Sequence, residues 1–226
     1  MSHAALLRPR LQCLGLLAAT LFCSFAAATS GGQLPKRANF DGEHASAAAR
    51  QVANWVVHSG DSARMPFVIV DKVEARVFVF DAHGQLRGAA SALLGLAAGD
   101  DSVPGIGERP LSTIRPEERT TPAGRFVAAL DRNLNGVEVL WVDYENAISL
   151  HPLVKGGAKD RRSERLASPT PGDNRISFGC INVPAQFYAH VVKPMFGGTA
   201  GMVYVLPETK PARDVFALYD VEDVTR

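Results

Sequence analysis

The chain changes its hydrophobic pattern twice, and each part predicts a different kind of structure. Residues 11–27 are almost uniformly apolar. Residues 46–57 then place large apolar side chains on one face of an Ala-rich stretch, which predicts a helix capped by Ser46 and docked on the main domain. From residue 67 onward the apolar runs are short and rich in β-branched and aromatic residues, which predicts strands.

Seven such runs follow one another, separated by turn residues. They predict a mostly β domain, sandwich- or barrel-like, with one or two added helices. A second helix is expected from Pro184 to Val192, because proline suits the first helical turn. A short segment at 215–219 is left ambiguous. The predicted strands cover residues 67–70, 76–80, 85–94, 126–130, 137–142, 147–150 and 202–206.

Two long segments lack any regular pattern. Residues 95–118 are punctuated by glycine and proline, which predicts a loop. Residues 155–174 are polar, basic and aperiodic, and a loop of this length in a domain is typically functional or disordered. Because it connects two candidate site residues, it is either a cover over the site or a passive surface insertion.

The N-terminus has the pattern of an export signal. Arg8 and Arg10 precede the apolar stretch, and Ala26-Ala27-Ala28 fits a small-x-small cleavage site. We therefore expect a periplasmic or cell-envelope protein with no stable membrane anchor, since about 17 apolar residues are few for a spanning helix. The predicted organisation is a signal peptide (1–28), a leader and helix (29–65), a catalytic domain (66–206) and a tail (207–226).

Charge excludes some partners. The predicted signal contains Arg8 and Arg10 and no acidic residue, so its removal changes the formal charge from +1 to −1. A near-neutral chain argues against general binding to nucleic acid or to anionic membranes.

Cysteine usage singles out one residue. Cys13 and Cys23 lie in the predicted signal, so Cys180 is the only cysteine left after cleavage. An unpaired thiol in an oxidising compartment is a liability, and catalysis is one reason to keep it. The alternative is an inert cysteine that fills an apolar gap.

A cysteine nucleophile needs a base, usually a histidine. His151 ends a predicted strand and precedes Pro152 and the long basic segment, and catalytic side chains are common at such positions. From spacing alone the base stays open. The other candidates are His44, His58, His83 and His190.

Two motifs carry a resemblance to a known family. Residues 177–182, Ser-Phe-Gly-Cys-Ile-Asn, resemble the Ser/Thr-His-Gly-Cys-apolar-Asn/Arg signature of the L,D-transpeptidase catalytic domain. Residues 121–126, Thr-Pro-Ala-Gly-Arg-Phe, resemble the family's Thr-Pro-x-Gly-x-Phe/Tyr segment. The chain departs from the family at Phe178, where the motif has histidine, and in the gap of 29 positions between His151 and Cys180.

The resemblance, which spans roughly residues 66–206, implies acyl transfer by a cysteine without a metal or other cofactor. Cys180 would be the nucleophile and His151 the base, while backbone N–H groups around Gly179 and Cys180 would bind the oxyanion. The sequence contains no metal-ligand spacing and no phosphate-binding glycine motif.

Three further residues are candidates for substrate binding. Ser177 bonds either His151 or the backbone in this interpretation. Asn182 either orients the catalytic turn or satisfies a local backbone group. Arg175 either binds a stem carboxylate or is an exposed charge at a strand end.

The implied substrates are peptidoglycan stem peptides, attacked at the carbonyl of an L-configured third residue with loss of terminal D-alanine. The acceptor is left open between a second stem, an envelope-lipoprotein lysine, a free D-amino acid and water. The alternatives are a stem-peptide L,D-carboxypeptidase or other hydrolase on the same scaffold, and a non-catalytic murein-binding protein.

Overall fold

The computed structural model describes residues 36–154 and 156–221. The predicted signal peptide therefore lies outside the described residues, as do the first residues of the leader and the last residues of the tail. The first helix, α1 (Ala47–Ser59), begins where the sequence predicts. The Ser46 hydroxyl accepts a hydrogen bond from the Ala49 N–H at 3.0 Å, which caps the helix N-terminus.

The prediction of a mostly β fold is confirmed. Eight strands of the described chain form one sheet, in the order β3-β2-β1-β10-β5-β6-β7-β9, and β4 pairs with β8 separately. The strands are β1 (Phe67–Asp71), β2 (Arg76–Phe80), β3 (Leu86–Ser91), β4 (Leu94–Gly95), β5 (Gly124–Arg132), β6 (Glu138–Asp143), β7 (Ile148–Pro152), β8 (Arg175–Ser177), β9 (Ile181–Val183) and β10 (Gly201–Val205).

The centre of the sheet is buried on both faces. On one face, side chains such as Val68, Val79 and Val203 pack with the C-terminal helical segment. On the other face, aromatic side chains such as Phe67 and Tyr204 pack against the apolar side of α1. Burial on both faces explains why these strands are continuous apolar runs without polar alternation.

The C-terminal helical segment extends beyond the predicted end. It consists of α3 (Ala185–Phe187), a π-helical part (Tyr188–Val192) and α4 (Lys193–Phe196). Val192 and Phe196 are buried in the core that this segment shares with the sheet. Packing of Phe196 therefore extends the helical segment past the end that the sequence suggested.

Two local predictions are corrected, and one segment left ambiguous is now described. The predicted third strand is divided into β3 and the short β4. The segment expected to lack structure contains a helix, α2 (Arg162–Ala167), because Leu166 is buried and anchors it. The segment left ambiguous at 215–219 is neither helix nor strand, and a 3-10 turn at Ala212–Asp214 comes directly before it.

None of the helices in the described ranges is long and apolar enough to span a membrane.

Candidate active site

Cys180 lies in a tight turn between β8 and β9. Gly179 precedes it with a φ of 129°, which L-residues with a side chain rarely adopt. A Cβ atom at this position would lie 2.7 Å from the Thr120 carbonyl oxygen and 2.7 Å from Cδ1 of Ile148. The turn therefore requires glycine both for its backbone conformation and for the close packing around it.

Ser177 and Asn182 hold this turn from within. The Ser177 hydroxyl donates to the Cys180 carbonyl oxygen at 2.6 Å and accepts from the Gly179 N–H at 3.0 Å. The Asn182 amide donates to the same carbonyl at 3.2 Å. Both side chains are buried, and these hydrogen bonds stabilise the turn.

Parallel pairing of β7 with β9 brings the candidate base to the turn. In this register His151 lies opposite Asn182, and Leu150 lies opposite Ile181. The Nδ1 atom of His151 is 2.8 Å from the Pro152 carbonyl oxygen. Because a carbonyl only accepts, Nδ1 carries the hydrogen, and in the neutral imidazole Nε2 is left to accept a proton.

The pKa values of the two residues shift in opposite directions. Burial acts to raise the pKa of the Cys180 thiol, but the hydrogen bond and charge of His151, together with Ser149, outweigh it and lower that pKa. Burial acts to lower the pKa of His151, but the hydrogen bond and charge of Cys180 and the Pro152 carbonyl outweigh it and raise that pKa. These shifts favour a thiolate–imidazolium pair.

Ser149 is a site residue that the sequence analysis did not identify. Its Oγ atom lies 3.6 Å from the Cys180 Sγ atom, and its backbone N–H also bonds the thiol. Side chains alternate along a strand, so Ser149 and His151 share one face of β7. That alternation is the signal by which the residue could have been found.

The Cys180 thiol also faces the turn that connects β6 and β7. Its Sγ atom lies 3.5 Å from the carbonyl oxygen of Ala147, whose φ of 54° is in the left-handed region. A non-glycine residue in this conformation costs free energy, and such residues are concentrated at functional sites.

Arg175 is bound to other residues of the fold. It begins a strand, but its side chain is only 17% exposed and forms an ion pair with Glu208. The same guanidinium donates to the Lys72 carbonyl oxygen at 2.9 Å. The expectation of an exposed charge is wrong, and these contacts give Arg175 a structural role.

A small cavity opens beside Cys180. Its volume is about 70 Å³, and its wall comes mainly from the loop before β5, including Ile106, Arg109 and Ile114. Phe178 lines the cavity as well, and its ring lies under the Arg119 guanidinium, whose central carbon is 3.9 Å from the ring centroid. The position at which the motif has histidine thus forms an aromatic wall stacked on a cation.

The segment that contains α2 approaches the site from another side. Arg162 lies 3.4 Å from the Asn182 side-chain oxygen, and its charge acts on the pKa of His151. The described residues of this segment do not line the cavity beside Cys180.

Within residues 36–154 and 156–221, no group of three or more His, Cys, Asp or Glu side chains is arranged to bind a metal ion.

Neither a family model nor a curated protein matches the chain. The similar solved structures include an L,D-transpeptidase from Xylanimonas cellulosilytica, with 14% identity over 62% of this chain and 60% of that chain and a TM-score of 0.37. The avibactam carbamoyl enzyme of Ldtfm is 16% identical over 63% of this chain and 49% of that chain, with a TM-score of 0.37. The catalytic domain of an L,D-transpeptidase from E. faecium is 17% identical over 63% of this chain and 98% of that domain, with a TM-score of 0.35.

The chain thus matches less than two thirds of the length of the first two proteins. Because identities and TM-scores are low, assignment of a function depends on the arrangement of Ser149, His151 and Cys180.

Proposed function

We propose that the protein is an exported cysteine acyltransferase that acts on peptidoglycan stem peptides. The observation that carries this proposal is that the pairing of β7 with β9 brings His151 and Ser149 to Cys180, where the pKa of the thiol is lowered and that of the imidazole is raised. A thiolate with an adjacent protonated imidazole is the reactive form of a cysteine nucleophile.

In the proposed reaction the Cys180 thiolate attacks a peptide carbonyl, and a carbon–sulfur bond forms as the carbonyl oxygen gains negative charge. The His151 imidazolium then gives its proton to the departing amine, and the carbon–nitrogen bond breaks. The neutral imidazole next takes a proton from an incoming amine, which displaces the sulfur and restores the thiolate–imidazolium pair. Water in place of the amine gives hydrolysis.

Of the two backbone N–H groups that the resemblance implied as oxyanion donors, one has another partner. The Gly179 N–H already donates to the Ser177 hydroxyl. We therefore assign the backbone N–H of Cys180, the nucleophile itself, as the donor to the oxyanion. In this proposal Ser177 and Asn182 position the turn and do not bind substrate.

The substrate class follows from the motif resemblance. Its two segments, 121–126 and 177–182, come together in the structure, since Thr121 donates a hydrogen bond to the Gly179 carbonyl. A peptidoglycan stem with terminal D-alanine is the proposed acyl donor. The proposed acceptor is the amine of a second stem, with an envelope-lipoprotein lysine as an alternative.

The decisive experiment is product analysis by mass spectrometry after incubation of residues 29–226 with a disaccharide-tetrapeptide. A cross-linked dimer that has lost D-alanine supports acyl transfer, and its formation should require Cys180, with Cys180→Ala as the control. Loss of D-alanine without a dimer would instead identify a hydrolase. Retention on intact sacculi with no product would identify a murein-binding protein and overturn the proposal.

A further inference from the structure

Thr121 lies directly behind the Cys180 turn and is fully buried. Its hydroxyl donates to the Gly179 carbonyl oxygen at 2.8 Å and accepts from the Gly95 N–H at 2.9 Å. The backbone N–H only donates and the carbonyl only accepts, so the direction of the hydroxyl hydrogen is fixed by its two partners. Thr121 thus connects the end of β4 to the residue before the nucleophile.

The Gly179 carbonyl belongs to the same peptide unit as the Cys180 N–H. A peptide unit is planar, and in the trans form its C=O and N–H point in opposite directions. The described chain contains no cis peptide bond. A hydrogen bond that holds the Gly179 oxygen on one side therefore determines the direction of the Cys180 N–H on the other.

We infer that Thr121 is a positioning residue that aims the Cys180 N–H at the oxyanion. This inference rests on the proposed function, in which Cys180 is acylated. It gives the Thr-Pro-x-Gly segment of this chain a task in the reaction through one hydroxyl group, without contact to the substrate.

The other side of Thr121 is held as firmly. Its carbonyl oxygen accepts from the Lys72 ammonium at 2.9 Å. That ammonium also bonds the Asp100 carboxylate at 2.8 Å and the Gly99 carbonyl at 2.6 Å, so its three hydrogens all have acceptors. The side chain of Lys72 is fully buried, and burying its charge is tolerable only because of this complete set of partners.

The task of Thr121 differs from that of Ser177 and Asn182. Those two side chains bond the Cys180 carbonyl and hold the peptide unit that follows the nucleophile. Thr121 bonds the Gly179 carbonyl and holds the peptide unit that precedes it. Only this preceding unit carries the Cys180 N–H.

Two reactions of the same thiolate distinguish between two roles of Thr121. One role is to orient the Cys180 N–H, and the other is to support the fold in general. p-Nitrophenyl acetate acylates a thiolate through a tetrahedral oxyanion, with formation of a carbon–sulfur bond and release of p-nitrophenolate. Iodoacetamide alkylates it by displacement of iodide, and no oxyanion forms. The experiment measures both second-order rate constants for the protein and its variants, together with the melting temperature.

Thr121→Val keeps the side-chain shape and removes the hydroxyl. We expect its acylation rate to fall at least about tenfold, since loss of a whole oxyanion donor costs about 10²–10³-fold, while its alkylation rate stays within about twofold. Thr121→Ser should restore the wild-type ratio of the two rates. Thr121→Ala is a second hydroxyl-free variant of smaller volume. The control is Thr199→Val, because Thr199 is exposed and its hydroxyl donates to the neighbouring Ala200 carbonyl.

Equal losses of acylation and alkylation in Thr121→Val, or no loss in either, would overturn the inference. If neither hydroxyl-free variant folds, a wild-type rate ratio in Thr121→Ser supports the inference and a lowered ratio overturns it. Failure of the proposed function gives a different result, because the ester needs no stem-peptide recognition. Normal acylation of the wild-type protein by the ester with no reaction on stem peptide would remove the substrate assignment alone.

Discussion

The Oγ atom of Ser149 lies 3.6 Å from the Sγ atom of Cys180, across the parallel pairing of β7 with β9. The two residues are far apart in sequence, and Ser149 shares its strand face with His151. The Cys180 thiol is thus contacted by Ser149 and His151 of a neighbouring strand, whereas Ser177 and Asn182 bond the Cys180 backbone. This arrangement defines which substitutions change the reactivity of the thiol.

Ser149→Ala should raise the pKa of the thiol and slow acylation near neutral pH. The hydroxyl is one of the groups that lower this pKa, although the Ser149 backbone N–H and His151 remain in the variant. The loss of one such hydrogen bond, about 1 kcal/mol, corresponds to a decrease of roughly fivefold in the acylation rate. The pH dependence of iodoacetamide alkylation measures the shift, and an unchanged midpoint would show that the hydroxyl does not act on the thiol.

His151→Ala should lower acylation by about 10²–10⁴-fold, the usual contribution of a general acid–base residue. The imidazole is the strongest of the groups that lower the pKa of the Cys180 thiol, so that pKa should also rise. His190→Ala is the matched control, since His190 is exposed on the C-terminal helical segment. A comparable loss of acylation in the His190 variant would show that the effect is not specific to His151 and would contradict its assignment as the base.

The pH profile of acyl transfer should be bell-shaped. As the pH falls through the lowered pKa of Cys180, the thiolate is protonated. As the pH rises through the raised pKa of His151, the imidazolium that protonates the leaving amine is lost. Alkylation needs only the thiolate, so it should show the acidic limb without the alkaline one. Parallel profiles for the two reactions would argue against a proton-donating His151.

The fold should lose stability in acid because of two carboxyl groups. The guanidinium of Arg109, with Arg115, lowers the pKa of Glu118 from 4.5 to about 2. Burial acts to raise the pKa of Asp100, but hydrogen bonds from Lys72 and Thr209 outweigh it and lower that pKa. A group with a lowered folded-state pKa stabilises the protein above its unfolded pKa and loses this contribution as the pH falls toward the folded value.

The melting temperature should therefore fall steeply between about pH 4.5 and about pH 2, the window that the Glu118 shift defines. Glu118→Gln should melt lower at neutral pH and show a shallower decrease across that window. The matched control is Glu117→Gln, whose side chain in the wild-type protein is 64% exposed. A Glu118 variant with the wild-type profile would contradict this explanation.

Export should remove the N-terminal segment near Ala28, because a basic start and an apolar stretch precede a small-x-small site. N-terminal sequencing of the protein from the cell envelope should therefore begin at or near Thr29. A mature form that retains residues 11–25 would indicate a membrane anchor instead.

Much of the fold follows from local sequence patterns. The strand at Arg76–Phe80 has the predicted bounds, because its β-branched and aromatic residues suit a strand buried on both faces. The short strands β8 and β9 escaped prediction. Three residues are too few for a period, and the pairing depends on distant partners, Leu94 for β8 and Leu150 for β9.

Only part of the candidate site could be predicted from the sequence, because some of its residues act through contacts between distant parts of the chain. Cys180 and His151 follow from residue type, position and motif, whereas Ser149 and Thr121 act through contacts that only the folded chain creates. The basic segment was left open between a cover and a passive insertion, and the cavity wall beside Cys180 comes mainly from the loop that includes Ile106 and Ile114. The basic segment lies between His151 and Cys180 in the sequence, but the packing of the folded chain determines which loop forms the wall beside the thiol.

Acylation of Cys180 can be tested by trapping the acyl-enzyme. Residues 29–226 are incubated with a disaccharide-tetrapeptide, quenched in acid, digested with protease and analysed by mass spectrometry. We predict that the peptide containing Cys180 gains the mass of the stem minus D-alanine, and that neutral hydroxylamine removes it, as expected for a thioester. The same acyl mass on another residue, or its persistence in Cys180→Ala, would show that Cys180 is not the nucleophile.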